Sequence, residues 1–314
     1  MAGYLRPLSM PRAKAKPEAL DKPERIAKVM ARAGLCSRRE AERWIEAGRV
    51  KLDGKVLESP AVTVTAASKI IVDGEPLPLK DEQKVWRYHK PAGLLTTHND
   101  PEGRPNLFDS LPEDMPRVIS VGRLDLGSEG LLLLTNDGEL ARQLELPASG
   151  WLRRYRVRVH GRVDEKVLDE LINGVTVDGV RYKSIQATLD RQQGANAWLT
   201  VSLIEGKNRE IRRVMEHLGW TVSRLIRTAY GPFQLGKLAK GEVEEVRGKV
   251  LKDQLSGRDR SGFAEKSKKA ERRPADKRTE RSKAGRPKKN ARKGAKIDPI
   301  NQPKKENAHR RRQK

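Results

Sequence analysis

Between residues 122 and 138 the chain sets a guanidinium and a carboxylate beside a run of leucines: Gly122-Arg-Leu-Asp125, then Gly130-Leu-Leu-Leu-Leu-Thr-Asn-Asp-Gly138. An acid beside a buried strand must be paired or hydrogen-bonded, because an unpaired buried charge is very costly. Taken alone, Asp125 fits two uses equally: a structural ion pair or turn, and a functional carboxylate. Gly127 and Gly130 favour the second, since they leave room for a bulky group to approach the backbone. Further on, Glu205-Gly-Lys-Asn-Arg-Glu-Ile-Arg-Arg-Val-Met-Glu-His217 carries Arg209, Arg212 and Arg213 at i, i+3 and i+4. These form one basic ridge of a helix, either a solvated face or a surface for an anion. The five histidines show no metal-ligand spacing, and Cys36 is the only cysteine. Disulfides within the chain and cysteine metal clusters are therefore excluded, and no metal is expected.

The elements that must hold these groups follow from local pattern. Leu131–Leu134 reads as a strand buried on both faces and stopped by a turn. Leu152–His160 alternates, with Tyr155, Val157 and Val159 on one face and Arg154, Arg156 and Arg158 on the other; by pattern alone Tyr155 is a core tyrosine with a polar tip. Asn208 can cap the helix that carries the basic ridge, whose apolar stripe is Ile211, Val214, Met215 and Leu218. Short helices are expected over 139–144 and 163–172, and strands over 85–88, 175–177, 180–189 and 197–204. Thr97–Pro105, with two prolines, a glycine and Arg104, suits a semi-rigid finger. Nearer the N-terminus, Ile26, Val29, Met30 and Ala33 stripe a helix ended by Gly34. Ser37-Arg-Arg-Glu40 is a capping box for a second helix, followed by strands at 49–52, 62–64 and 70–72 with Asp-Gly turns at 53–54 and 73–74. Arg38 and Arg39 fall in the first turn of that second helix, where the macrodipole disfavours cations. A phosphate docking on the helix end would explain them.

At 314 residues and 36% hydrophobic content, the chain can hold one mid-sized core and a small satellite. Its net charge of +24 is uneven. Arg258–Lys314 carries 23 Lys+Arg against 7 Asp+Glu, a net of +16, which leaves +8 for the preceding 257 residues. With one aromatic and almost no aliphatic run, this tail is expected to be disordered, an electrostatic arm for a polyanion. Residues 1–22 are expected to be a disordered basic arm without the apolar core of a signal peptide. No apolar run approaches the roughly 20 residues of a membrane helix. A cytoplasmic monomer that meets no membrane is expected.

The motif Gly122-Arg-Leu-Asp125…Gly130–Gly138 resembles the signature of the bacterial pseudouridine synthases that modify ribosomal RNA, the RsuA family. Asn99-Asp-Pro-Glu-Gly-Arg-Pro105, Val222-Ser-Arg-Leu-Ile-Arg227…Tyr230-Gly-Pro and Leu235–Gly241 extend the resemblance, and the finger loop is closest to members acting on large-subunit (23S) ribosomal RNA. Glu24-Arg-Ile-Ala-Lys…Gly34-Leu-Cys-Ser-Arg-Arg-Glu…Gly54 resembles the S-four-type RNA-binding domain. The resemblance implies an α/β (α+β) architecture: an RNA-binding domain over 23–80, a catalytic domain with a mixed, largely antiparallel sheet over 84–250, and the basic tail from 258. It further implies isomerisation of uridine to pseudouridine with no cofactor. Asp125 would be the catalytic nucleophile, Tyr155 would stack on the base, and Arg212 would pair with Asp125. Arg38, Arg39, Arg104, Arg123, Lys207, Arg209, Arg213 and Arg227 would contact RNA, Arg123 filling the gap left by an extruded base or holding the displaced strand. The competing class is a ribosome-assembly factor or RNA chaperone on the same scaffold, which would have no reason to keep Asp125, Tyr155 and Arg212 together.

Overall fold

The computed structural model describes residues 22–146 and 150–255. The expectations for the N-terminal arm, Lys22 apart, and for the tail lie outside the described residues.

In the smaller part, β1 (Glu24–Arg25) leads into α1 (Ile26–Arg32) and α2 (Arg38–Glu46). Strands β2 (Val50–Leu52), β3 (Lys55–Val56), β4 (Thr63–Val64), β5 (Ile70–Val72) and β6 (Glu75–Pro76) follow. Both bonds of the expected capping box form: Ser37 Oγ accepts from the Glu40 N–H at 3.1 Å, and Glu40 Oε2 accepts from the Ser37 N–H at 2.7 Å. Ile26, Ala27 and Met30 of α1 meet Ala41 and Ile45 of α2 over Val50, Val64, Ile70 and Val72, a core of its own. The Asp53-Gly54 and Asp73-Gly74 turns have both residues at positive φ (50° and 86°, 51° and 89°), the hairpin geometry that Asp-Gly selects. Pro76 pairs with Ile71 at the free edge of this sheet, where a missing N–H costs nothing.

The larger part is built on a nine-stranded sheet. Its elements are β7 (Val85–Lys90), β8 (Ile119–Val121), β9 (Ser128–Thr135), α3 (Gly138–Glu145), β10 (Arg153–His160), α4 (Glu165–Glu170), β11 (Val175–Val177), β12 (Val180–Tyr182), β13 (Ile185–Gln193), β14 (Asn196–Leu203), α5 (Glu210–His217), β15 (Thr221–Tyr230), β16 (Phe233–Gln234), β17 (Val243–Glu245) and α6 (Gly248–Leu255). The order is β13-β14-β10-β15-β9-β7-β17, with β16 on β15 and β8 on β9. Every pairing is antiparallel except β15 with β9, so the expected mixed, largely antiparallel sheet is what forms. The expected strand 180–189 is broken at Lys183-Ser184: β12 closes a hairpin with β11, and β13 starts a separate edge strand.

All eight residues of β9 are buried. Leu132 and Leu134 enter the core under α4 and α5, while Leu131 and Leu133 enter a second core under α3 and α6. A strand buried on both faces needs apolar residues at consecutive positions, which is why the leucines run unbroken. Their C-terminal stop is Asp137, whose carboxylate caps α3 by accepting from the N–H groups of Glu139 (2.8 Å) and Leu140 (3.0 Å).

Candidate active site

Asp125 lies on the turn between β8 and β9, half-buried. The turn is fixed through its backbone carbonyls. Lys90, the last residue of β7, has no exposed surface and donates its ammonium to the carbonyls of Pro91 (3.0 Å), Asp125 (3.2 Å) and Ser128 (3.0 Å). Burial pulls the Lys90 ammonium down to about 8, and the facing Asp125 and Glu129 charges counteract only part of this. On the other side Arg212 of α5 donates to Gly127 O at 3.0 Å and to Val222 O at 3.2 Å.

The expected Arg212–Asp125 ion pair is therefore not made. Both Nη groups of Arg212 are spent on carbonyls, and among the described residues no cation pairs directly with the Asp125 carboxylate. Arg212 nevertheless faces Asp125 closely enough for that charge to act on it, against the depressing effect of burial and of Arg209. Two cations thus flank Asp125 without using up its oxygens, which leaves the carboxylate free for a reacting atom.

A cleft of about 480 Å³ opens over this turn. It is lined by Arg123, Asp125, Tyr155, Lys207, Arg209 and Arg227 among others, so six of the eleven residues singled out from the sequence converge on it. Tyr155 is 8% exposed, in register with Arg227 of β15 at a bulge that shifts the pairing after Arg154. Arg123 is exposed at the rim. Arg209 and Lys207 come from the tight turn before α5. Arg209 holds a left-handed φ of 52°, so it stands outside the helix instead of on a ridge with Arg213, and Asn208 forms no cap. The head of α5 is closed by Glu210, whose Oε2 accepts from the Lys207 N–H at 2.8 Å. Lys207 is itself engaged, its ammonium reaching Arg181 O at 2.5 Å and Glu205 Oε1 at 3.2 Å.

Arg227, expected to touch RNA, is only 3% exposed. Its Nε donates to Leu131 O at 2.7 Å and its guanidinium lies 5.0 Å from the Tyr230 ring centre, ties that a surface arginine would not have. Gly130 corrects another expectation. A Cβ there would stand 2.3 Å from Arg227 O, so this glycine (φ 104°) admits the neighbouring strand and not a ligand. Arg104 is tied within its own loop by Asp100 (2.7 Å) and Glu102 (3.1 Å). Arg213, Arg38 and Arg39 are exposed and away from the cleft lining.

Three side chains escaped the sequence reading. Lys90 shares strand parity with the buried Trp86 and Tyr88, a signal that a lysine was aimed inward. Glu210, 4% exposed with its carboxyl raised by burial and Oε1 unpartnered, lines the cleft with no sequence signal beyond an acid in a first helical turn. Glu129 is 6% exposed and forms a bidentate pair with Arg224 (2.8 and 3.0 Å) joined by Lys240 (2.8 Å). The Arg224 bonds hold its carboxyl at about 2 against the effect of burial.

A family model described as RNA pseudouridylate synthase matches residues 84–217, and an S4 domain model matches residues 24–71. An uncharacterized RNA pseudouridine synthase of Rickettsia typhi is 45% identical over 234 residues, covering 74% of this chain and 96% of that protein. The ribosomal large subunit pseudouridine synthase B of Salmonella typhi is 49% identical over 232 residues, covering 71% and 79%. A crystal structure of a pseudouridylate synthase shares the fold, with a TM-score of 0.51 at 24% identity over 73% of this chain and 98% of that one.

Proposed function

The chain belongs to the RNA pseudouridine synthases, which are isomerases, and from that premise we propose that it converts a uridine of large-subunit ribosomal RNA to pseudouridine with Asp125 as the nucleophile. The observation that carries the assignment is the placing of Asp125: backbone clamped on both sides, carboxylate unspent, open to a cleft that also presents Tyr155 and a cationic rim.

The chemistry needs little more. A base in a helix must be extruded, at a cost of a few kcal/mol, and Arg123 at the rim is placed to hold the vacated strand. An Asp125 oxygen attacks the ribose carbon and the glycosidic nitrogen–carbon bond breaks, leaving the uracil as an anion. The ring turns in the cleft, its C5 carbon bonds to the ribose carbon, and the aspartate leaves with its electron pair. The proton on C5 then departs and a ring nitrogen takes one up. No atom is gained or lost, so the reaction calls for no external group. Tyr155 supplies a ring for stacking and a hydroxyl able to relay that proton. Arg209 offers a cation to the phosphates beside the extruded base, with Lys207 beside it on the same turn. The small part, with Arg38 and Arg39 exposed at the head of α2, gives a second hold on RNA at a helix N-terminus.

The name of the Salmonella typhi relative favours the large subunit. Mapping pseudouridines in ribosomal RNA from a strain lacking the gene tests this. One site in large-subunit RNA should lose its modification and regain it on complementation. Loss confined to small-subunit or transfer RNA would contradict the substrate reading.

A further inference from the structure

The core under α4 and α5 occupies one face of the sheet, and α3 and α6 cover the opposite face over β9 and its neighbours. Over β10, β14 and β13 that opposite face carries exposed polar side chains, Gln186, Thr188, Arg156 and Arg158 among them. One row crosses it in register: Arg191 of β13, Trp198 of β14, Arg158 of β10 and Arg224 of β15. Arg156, two residues along β10, lays its guanidinium 4.8 Å from the Trp198 ring centre while its side chain stays 55% exposed. A depression of about 420 Å³ lies beside the row, lined by Arg158, Trp198, Gln193 and Asn196.

Sheet stability does not ask for this arrangement. Like charges directly opposite across strands destabilise, as Arg158 and Arg224 must. Arg224 is neutralised by Glu129, and Arg156 has Asp190 at 3.8 Å. Arg158 and Arg191 have no anionic partner among the described residues. A half-buried indole with a guanidinium on it, bordered by two unneutralised arginines, suits a base to stack and phosphates to pair. Alternate residues on one strand are about 6.8 Å apart, so Arg154, Arg156 and Arg158 can follow an extended backbone.

We propose that this rear face, on the side of the sheet away from the buried Tyr155, binds a single-stranded segment of the RNA substrate, one base stacking on the Arg156–Trp198 pair and adjacent phosphates meeting Arg158 and Arg191. The proposal rests on RNA being the substrate but not on Asp125 being catalytic. The test uses the full chain with a short single-stranded oligouridine, binding followed across a salt series. In the same preparation, a bromouridine-substituted copy is photo-cross-linked and the attached peptide identified. The expected cross-link is on Trp198. Trp198→Ala should weaken binding about tenfold. Arg158→Ser should lower the salt slope by about 0.7, the share of one phosphate contact on a single strand, and Arg158→Lys should restore it. Because Arg158 is exposed, the melting temperature should hold. Cross-links confined to the cleft, or unchanged affinity and slope in Arg158→Ser, would overturn the proposal, including in favour of a protein partner on this face. Turnover at saturating RNA should survive both changes, which keeps this result separate from the reading of the cleft.

Discussion

Lys90 makes three hydrogen bonds from a site with no exposed surface, two of them to the turn that carries Asp125. Lys90→Met keeps the bulk and removes all three bonds; Asp125 O keeps the Ser128 N–H (3.0 Å), and each carbonyl left without a donor costs roughly 1–3 kcal/mol. We expect a loss of about 3 kcal/mol in urea unfolding and a kcat that falls more than KM rises; an unchanged kcat would mean the turn holds without it. Gly130→Ala should be more damaging, because its Cβ would meet strand backbone that cannot yield. At this scale the sequence singled out Asp125 through a local motif and was unclear about what holds its turn. Arg212 was expected on the carboxylate and binds carbonyls instead, since its reach depends on where β15 puts Val222. Gly130 was read as room for a ligand because the strand that fills that room lies almost a hundred residues further along the chain.

Among the elements, the parallel pairing of β9 with β15 joins the Asp125 turn to the rest of the sheet, and Glu129 with Arg224 rivets it. The Glu129 carboxyl sits at about 2 in the fold, below its unfolded value of about 4.3, so its contribution is present above the unfolded value and lost as pH falls toward 2. Glu129→Gln should therefore be less stable than the parent by roughly 1–3 kcal/mol at pH 7, with the gap closing between about pH 4.3 and 2. A gap independent of pH in denaturant titrations would mean shape and not charge is at work. Helix ends with side-chain signals, such as Ser37 and Glu40, were legible because a cap is a local bond. The head of α5 was not, for its turn runs through Arg209 at positive φ and closes on Glu210. Strand order was not legible either, since β15 inserts between β10 and β9 by contacts that no local pattern encodes.

For the molecule as a whole, charge decides how RNA is met. Arg38→Glu with Arg39→Glu should weaken RNA binding and flatten its salt dependence, because phosphate contacts set that slope, while turnover at saturating RNA survives. An unchanged slope would make these arginines merely solvated. Removing everything after Gly257 takes away a net charge of +16. Affinity should fall mainly at low ionic strength, where steering raises association roughly 10–1000-fold, and the modified position should not move. Loss of modification at every salt concentration would make the tail a specificity element.

The central claim is that Asp125, clamped by Lys90 and Arg212 with its oxygens unspent, is the nucleophile. Asp125→Asn keeps the size of the side chain and removes its charge. Purified free of host enzyme and given ribosomal RNA that lacks the modification, this variant should bind with near-parental affinity, melt at the parental temperature and form no pseudouridine. Measurable pseudouridine from the variant would contradict the account.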